Sequence, residues 1–343
     1  MSNNAMMSLH PDLIRGAWRE SSASITDQFS NPWLSQLIDL CDVFNHASTR
    51  FFRQRGLRAA YLPLTTHSVS SPAAPGSDSL PVEVELCGIR TYLADSMQFL
   101  LEYVCRFQPK GVFYVMPSFR GEAPDARHLS QFFHAEAEIA GSLEDVMELV
   151  EAYVRSLVSA FLEETEEGVL ANLNYLARAA DGPSFRRLAV DDALEILADV
   201  PQTVEKRNGA LVISAAGERF LLRELGGGPL WLVGHDAAAM PFYQARTAGD
   251  PRRTRSADLL MGIGETVGAG ERHATGDATA AALAEQGIDP VDYAWYLEMK
   301  YAAPLQTSGF GLGVERFLLW LTGHTDIRDM QVIPRANGQR LIP

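Results

Sequence analysis

The chain has 343 residues, 47% of them hydrophobic, and a formal net charge of −14. That length accommodates one large catalytic domain or two ordinary ones, and the negative balance repels a polyanion except at a local basic patch. No run approaches the roughly 18–20 uninterrupted apolar residues of a membrane span, the first residues lack a signal-peptide pattern, and Cys41, Cys87 and Cys105 are odd in number and widely spaced, so a soluble cytoplasmic protein with buried reduced thiols is expected.

In chain order, helical spacing of apolar residues covers 33–52, and Gly56 then introduces a short apolar run over 57–64 that reads as a strand. Residues 65–79, rich in Ser, Pro and Gly, form a loop suited either to a lid or to a plain connector. Strand alternation returns at 82–86, helical spacing at 94–107, and a β-branched and aromatic run at 111–117. Residues 131–140 alternate so that Phe133, Ala135, Ala137 and Ile139 share one side and Phe132, His134, Glu136 and Glu138 the other. Ser142 is a plausible N-cap for a long helix over 144–164. The charged stretch 165–228 is less regular, with a short helix over 190–197, and reads as an elaboration of the same domain. Strands are expected at 229–234 and 257–264 and helices at 277–286 and 289–301. A glycine-rich approach from 307 then leads into an apolar helix starting near Val314. The basic cluster Arg252, Arg253 and Arg255 reads as a solvated loop.

Three places concentrate chemistry. Arg120 and Glu122 follow the 111–117 strand at alternate positions. An arginine there can hold a phosphate through two bonds and the glutamate can accept from an amino group, while a surface salt bridge between them is the plainer alternative. Arg127 and His128 follow across a loop, and Phe132 can stack on a base. Gly309, Gly311 and Gly313 let a backbone lie against a flat ligand before a helix whose first turn carries Arg316, although a tight turn explains the glycines equally well. Asp258 and Glu265 can bring hard oxygen ligands to a magnesium ion beside a triphosphate, or can be solvated loop acids.

Together these residues resemble the catalytic core of class II aminoacyl-tRNA synthetases, in the aspartyl and asparaginyl branch. Residues 56–63 look like the family's first motif, Phe119-Arg120-Gly121-Glu122 through Phe132 like the second, and Gly309 to Arg316 like the third; Asp95-Ser96-Met97-Gln98 and Asp326-Ile327-Arg328-Asp329 also match. The resemblance implies an α+β fold, an antiparallel sheet flanked by helices, with 1–30 as an N-terminal extension and 31–343 as one catalytic domain. It also implies a homodimer and the cofactors ATP and Mg2+. Arg120 would bind the α-phosphate, Phe132 stack on adenine and Glu122 meet its amino group. Arg316 would take the γ-phosphate with Arg127 or His128, Gly313 would border the nucleotide, and Asp258 and Glu265 would hold the metal. Ser96, Gln98, His134, Glu136 and Arg272 would line the amino-acid pocket, with Glu136 on an ammonium and Arg272 on a carboxylate, or the two paired with each other.

The sequence departs from a complete synthetase of this branch. Only about thirty residues precede the first motif, where the family carries a nucleic-acid-binding barrel. Leu101 stands where the aspartyl enzymes have a side-chain-reading lysine, and Glu102 follows as in asparaginyl enzymes. Gln131 replaces a common glutamate, and the loop after the first motif lacks its usual acid. The missing barrel and the acidic balance resemble free-standing asparagine synthetase-like relatives, to which the run from Pro81-Val82-Glu83 to Met97 looks closest, while the pocket changes point away from plain aspartate. The expectation is therefore a ligase that activates an aspartate-like carboxylate and passes it to ammonia or another amine, with tRNA not among its partners. Transfer to a carrier protein, a protein or tRNA, and a non-catalytic binding paralogue, remain the alternatives.

Overall fold

The structure is a computed structural model and describes residues 25–333, apart from 72, 73, 76, 78, 167 and 172. Most of the expected N-terminal extension, residues 1–24, lies outside the described residues.

The first long element is helix α1 (Pro32–Gln54). Asn31 caps it by accepting from Trp33 N at 3.0 Å, and Pro32 occupies the first turn, where its missing N–H costs nothing. Strands β1 (Arg58–Ala59) and β2 (Thr65–Thr66) follow, then the hairpin β3 (Val82–Leu86) and β4 (Ile89–Leu93), helix α2 (Gln98–Cys105), and the long hairpin β5 (Val112–Phe119) and β6 (Gln131–Ala140). Helix α3 (Leu143–Glu164) opens on a reciprocal capping box between Ser142 and Asp145. Then come α4 (Leu173–Asp181), β7 (Arg186–Ala189), α5 (Val190–Leu197), the hairpin β8 (Val204–Arg207) and β9 (Ala210–Ile213), and α6 (Ala215–Glu224). The last third holds β10 (Leu230–Val233), β11 (Arg246–Thr247), β12 (Asp250–Thr254), β13 (Ser256–Met261), β14 (Gly264–Glu271), α7 (Gly276–Glu285), α8 (Ala294–Ala302), β15 (Thr307–Gly313) and α9 (Val314–Thr322).

The main sheet runs β1-β5-β6-β15-β14-β13-β10-β7, antiparallel except for the parallel outer pairs β1–β5 and β10–β7. This is the expected α+β architecture. One face carries Phe113, Ala135, Ala137, Val267, Ala269, Phe310 and Leu312 into the core beneath α1 and α3. Phe52 of α1 stacks on Phe113 with ring centroids 4.6 Å apart, and the buried Ser48 and Tyr153 hydroxyls, 2.6 Å apart, join α1 to α3. The opposite face is left for polar side chains.

Several expectations change. The run 57–64 contributes only Arg58–Ala59 to the sheet: Ala60 N still donates to Phe113 O, but Pro63 has no donor and Tyr61 faces solvent. The strand expected over 257–264 ends at Met261, because Gly262 and Gly264 at positive φ turn the chain into β14, a strand that its glycine-rich sequence hid. The helix expected over 289–301 begins as a 3-10 turn, Pro290–Tyr293, before α8. Residues 165–228 are more regular than expected; α5, α6 and their neighbours pack Val190, Ala193, Leu197, Leu221 and Leu222 against Leu230, Leu232 and Leu260 of the main sheet. Of the cysteines only Cys105 is buried; Cys41 and Cys87 are exposed, the latter at φ 54 in the β3–β4 turn. The basic cluster is not a loop: Arg252 and Arg253 lie in β12, and all three charges are matched by acids, Arg252 with Asp250 at 3.5 Å, Arg253 with Asp191, and Arg255 with Glu271 and Glu144. No described helix is long and apolar enough to cross a membrane.

Candidate active site

The polar face of the sheet is assembled by strand period. Phe132, His134, Glu136 and Glu138 of β6 alternate with core residues as expected, and β15 pairs with β6 so that Gly309, Gly311 and Gly313 lie opposite Glu138, Glu136 and His134. Because Gly309 and Gly311 have no side chain, Glu138 and Glu136 lean across β15 instead of standing off it. A Cβ at Gly311 would stand 3.0 Å from Glu136 Oε1, so the glycine spacing serves side-chain packing as well as open space for a flat ligand.

One corner of this face gathers the residues expected to meet a nucleotide. Arg120, Glu122, Arg127, His128, Phe132 and Arg316 border one cavity together with Gly313. Arg120 and Glu122 do approach each other, at 3.9 Å, but both are more than two-thirds buried, and Arg120 Nε has no partner. The Arg120 guanidinium lies 5.5 Å from the Phe132 ring centroid. Glu122 accepts from Leu80 N at 3.1 Å. Arg316, in the first turn of α9, donates to Glu265 O at 2.7 Å, so it reaches back across β14 from the helix start. His128 is the most exposed of the set and bonds to Asp125, whose carboxylate also accepts from the Arg127 and His128 amides.

Beside this corner the acids crowd. A bulge between Leu259 and Leu260 shifts the β13–β14 register, and Asp258 and Glu265 both face Gly268, where a Cβ would lie 3.3 Å from Glu265 Oε1 and 3.7 Å from Asp258 Oδ1. Burial, and then the Glu265 and Glu218 carboxylates, push the Asp258 carboxyl well above its usual range. His235 Nε2 is 3.1 Å from Asp258 Oδ2, and burial holds that imidazole neutral, at about 4. Among the described residues no group of three or more His, Cys, Asp or Glu forms a metal cage. Two hard carboxylates whose like charges Arg316, 3.9 Å from Glu265, offsets only in part suit an ion that takes its other ligands from phosphate and water, as magnesium does.

The second corner lies between β6, β14, α2 and the loop before β3, and holds Ser96, Gln98, His134, Glu136 and Arg272. Burial works against the Glu136 charge, but hydrogen bonds from His134, Tyr114 and Ser96 outweigh it and hold the carboxyl below its usual range. Ser96 Oγ donates to Glu136 Oε2 at 2.7 Å and His134 Nδ1 lies 3.1 Å from Oε1. Arg272 does not pair with Glu136. Its partner is Glu138, through Nε at 3.3 Å and Nη2 at 3.1 Å, and both side chains are buried. Glu138 belongs to the site by the same period-two alternation that places Glu136 there. Gln244, which no motif flagged, also lines this corner with its buried Oε1 unpartnered. Leu101 packs with Met97, Cys105, Val112 and Tyr114, and Glu102 turns away to Lys300 at 2.5 Å and Tyr296. Gln131 faces an apolar hollow bordered by Cys41 and Phe44 on the other side of the sheet.

The loop after β2 borders this corner at two of its serines. Ser70 and Ser71 line it, tied to Asp95 by Ser70 N at 3.1 Å, Ser70 Oγ at 2.6 Å and Ser71 N at 2.7 Å. The two corners join where Arg120, His134, Glu265, Gly268 and Gly311 border both.

Residues 21–337 match the family described as tRNA synthetases class II (D, K and N). The asparagine–tRNA ligase of Pyrococcus abyssi is 34% identical over 250 residues, covering 71% of this chain and 56% of that protein. The cytoplasmic asparagine–tRNA ligase of Mus musculus is 31% identical over 295 residues, 84% of this chain and 52% of the relative. This chain thus spans little more than half the length of these relatives. The structure of asparaginyl-tRNA synthetase from Pyrococcus horikoshii complexed with asparaginyl-adenylate superposes with a TM-score of 0.83 at 28% identity, covering 94% of this chain and 74% of that one. The expectation that tRNA has no part is overturned here, since the proteins this chain resembles are ligases named for tRNA; composition and a short N-terminus did not carry that inference. By its sequence and its fold, the chain belongs to the class II tRNA synthetases of the D, K and N group.

Proposed function

We propose that this chain activates an amino acid with ATP as an aminoacyl-adenylate, releasing pyrophosphate, and transfers the aminoacyl group to the end of a tRNA, releasing AMP. The observation that carries this reading is the junction of the two corners at Arg120 and Gly311. An amino acid whose ammonium meets Glu136 would present its carboxylate there, and ATP lying along Phe132 and Glu122 would present its α-phosphorus. A carboxylate oxygen then attacks phosphorus in line as the bond to pyrophosphate breaks. Arg120 stabilises the charge on the α-phosphoryl oxygens, and Arg316 with Arg127 that on the departing pyrophosphate. Asp258 and Glu265 would hold magnesium, which would share the triphosphate charge. In the second step a hydroxyl oxygen of the acceptor attacks the acyl carbon, its proton leaves, and the bond to AMP breaks.

For the amino acid, the Arg272 charge is matched by Glu138 and no lysine stands at Leu101, so an uncharged amide side chain fits better than a carboxylate; the similarity to asparagine–tRNA ligases favours asparagine. We take residues 31–343 as one catalytic domain that assembles as a homodimer, through α1 and the apolar hollow beside it where Phe133 is exposed. Pyrophosphate exchange into ATP, measured across a panel of amino acids, tests the first step. Exchange is expected with asparagine above aspartate, and the absence of exchange with every amino acid would overturn the reading. Attachment of labelled asparagine to tRNA, against formation of a free amide from aspartate and ammonia, tests the acceptor; the amide alone would overturn the transfer to tRNA. A monomer mass in solution would contradict the dimer.

A further inference from the structure

Arg127 is not held by its own loop. Its Nη2 donates to Glu218 Oε2 at 3.0 Å, and both side chains are more than four-fifths buried. Glu218 comes from the first turn of α6, outside the three motifs, and the same oxygen accepts from Glu265 N at 3.2 Å. One carboxylate oxygen therefore ties together the loop that carries Arg127 and the start of β14, the strand that brings Glu265 beside Arg316. The turn before β14 is shaped to allow it. Gly264 sits at φ +135, and a Cβ there would overlap Glu218 Oε2 and stand 2.8 Å from Arg127 Nη2. The Arg127 Nε, on another part of the guanidinium, has no partner, and Arg127 borders the nucleotide corner.

A guanidinium offers five donors in a rigid fork, so fixing one nitrogen sets the direction of the others. We propose that Glu218 is a positioning residue for the ATP triphosphate: it fixes Arg127 through Nη2 so that the rest of the guanidinium is aimed, before ATP arrives, at the terminal phosphates. This rests on the reading of Arg127 as a triphosphate ligand. The cost of ordering a long cationic side chain is then met in folding rather than in binding. Because α6 packs through Leu221 and Leu222 on β10 and β13 residues of the sheet, the carboxylate is held by a core rather than by a loop.

Calorimetric titration of the full chain with ATP and, separately, with AMP tests this, since AMP lacks the phosphates that Arg127 is aimed at. Glu218→Gln keeps the shape and an acceptor oxygen but loses the charge, and is expected to weaken ATP roughly fivefold; Glu218→Ala is expected to weaken it about twentyfold, with AMP affinity changed less than about twofold in both. In an Arg127→Ala background neither substitution should weaken ATP further. Unchanged or tighter ATP binding in both variants, an equal loss of AMP, or full additivity with Arg127→Ala would overturn the proposal. If Glu218→Ala does not fold by its melting curve, Glu218→Gln and its cycle with Arg127→Ala decide alone. Failure of the unsubstituted chain to bind ATP would remove both this inference and the adenylation reading, whereas ATP binding that ignores Glu218 removes only this one.

Discussion

Gly309 and Glu138 occupy facing positions on β15 and β6, and the glutamate reaches Arg272 only because the glycine has no side chain. A Cβ at 309 would overlap Glu138 Oε2 and stand 2.8 Å from Arg272 Nη2. Gly309→Ala is therefore expected to displace the pair at the floor of the amino-acid corner. The KM for the amino acid in pyrophosphate exchange should rise on the order of tenfold, the scale of one charge-assisted hydrogen bond, with the KM for ATP little changed. A larger effect on ATP would contradict this assignment of the two corners.

Arg316 has the opposite signature. Placed at the start of α9 and reaching Glu265 O, it faces the nucleotide corner and not the amino acid. Arg316→Ala should lower the exchange rate by about two to three orders of magnitude, as loss of a transition-state charge donor does, while amino-acid binding measured by calorimetry persists. Normal exchange by this variant would remove the phosphate assignment.

Lys300 and Glu102 are both fully buried, 2.5 Å apart, with the Tyr296 hydroxyl also on the carboxylate. Lys300→Met leaves Glu102 with only the Arg106 guanidinium, 3.4 Å away, to offset its charge and is expected to cost about 3 kcal/mol in denaturant unfolding. Adding Glu102→Gln removes the under-compensated charge and should recover part of that loss. A double variant as unstable as the single would show that packing rather than charge is at stake.

His273 gives the protein a pH dependence of defined sign. Burial, and then the nearby Lys300 ammonium, push its imidazole down from an ordinary 6.5 to about 4. The unfolded chain binds the proton more readily, so this contribution to stability is present above pH 6.5 and is lost as the pH falls toward 4, at roughly 1.4 kcal/mol per unit. His235, also lowered to about 4, acts in the same sense. Melting temperatures between pH 7.5 and 4.5 should fall less steeply in His273→Gln than in the unsubstituted chain, and parallel curves would contradict the assignment.

Much of the site is legible because strands have a period of two: the polar side of β6 is readable from Phe132 to Glu138 without any structure. The glycines of β15 are readable as spacing, but not that their task includes admitting Glu136 and Glu138. Partner choice is what stays hidden. Whether Arg272 meets Glu136 or Glu138 turns on the β6–β15–β14 registers, and those join segments far apart in the chain. Glu218 and Gln244 lie in stretches without a motif and are recruited only by the packing of α6 and by the turn that runs into β11. Lys300 lies on the helix expected over 289–301 with no motif to mark it, and only the tertiary fold shows that it answers Glu102.

The strand pairing at the heart of the site also has a kinetic meaning. Ser308 and Gly141, joined at the edge of the β6–β15 pairing, are 167 residues apart in sequence. No local fragment can build the junction of the two corners, and chain closure over such distances makes folding slow. In refolding from denaturant, helical signal from α1 and α3 should therefore return ahead of nucleotide binding, and competence to bind ATP becomes a report on the last long-range step rather than the first.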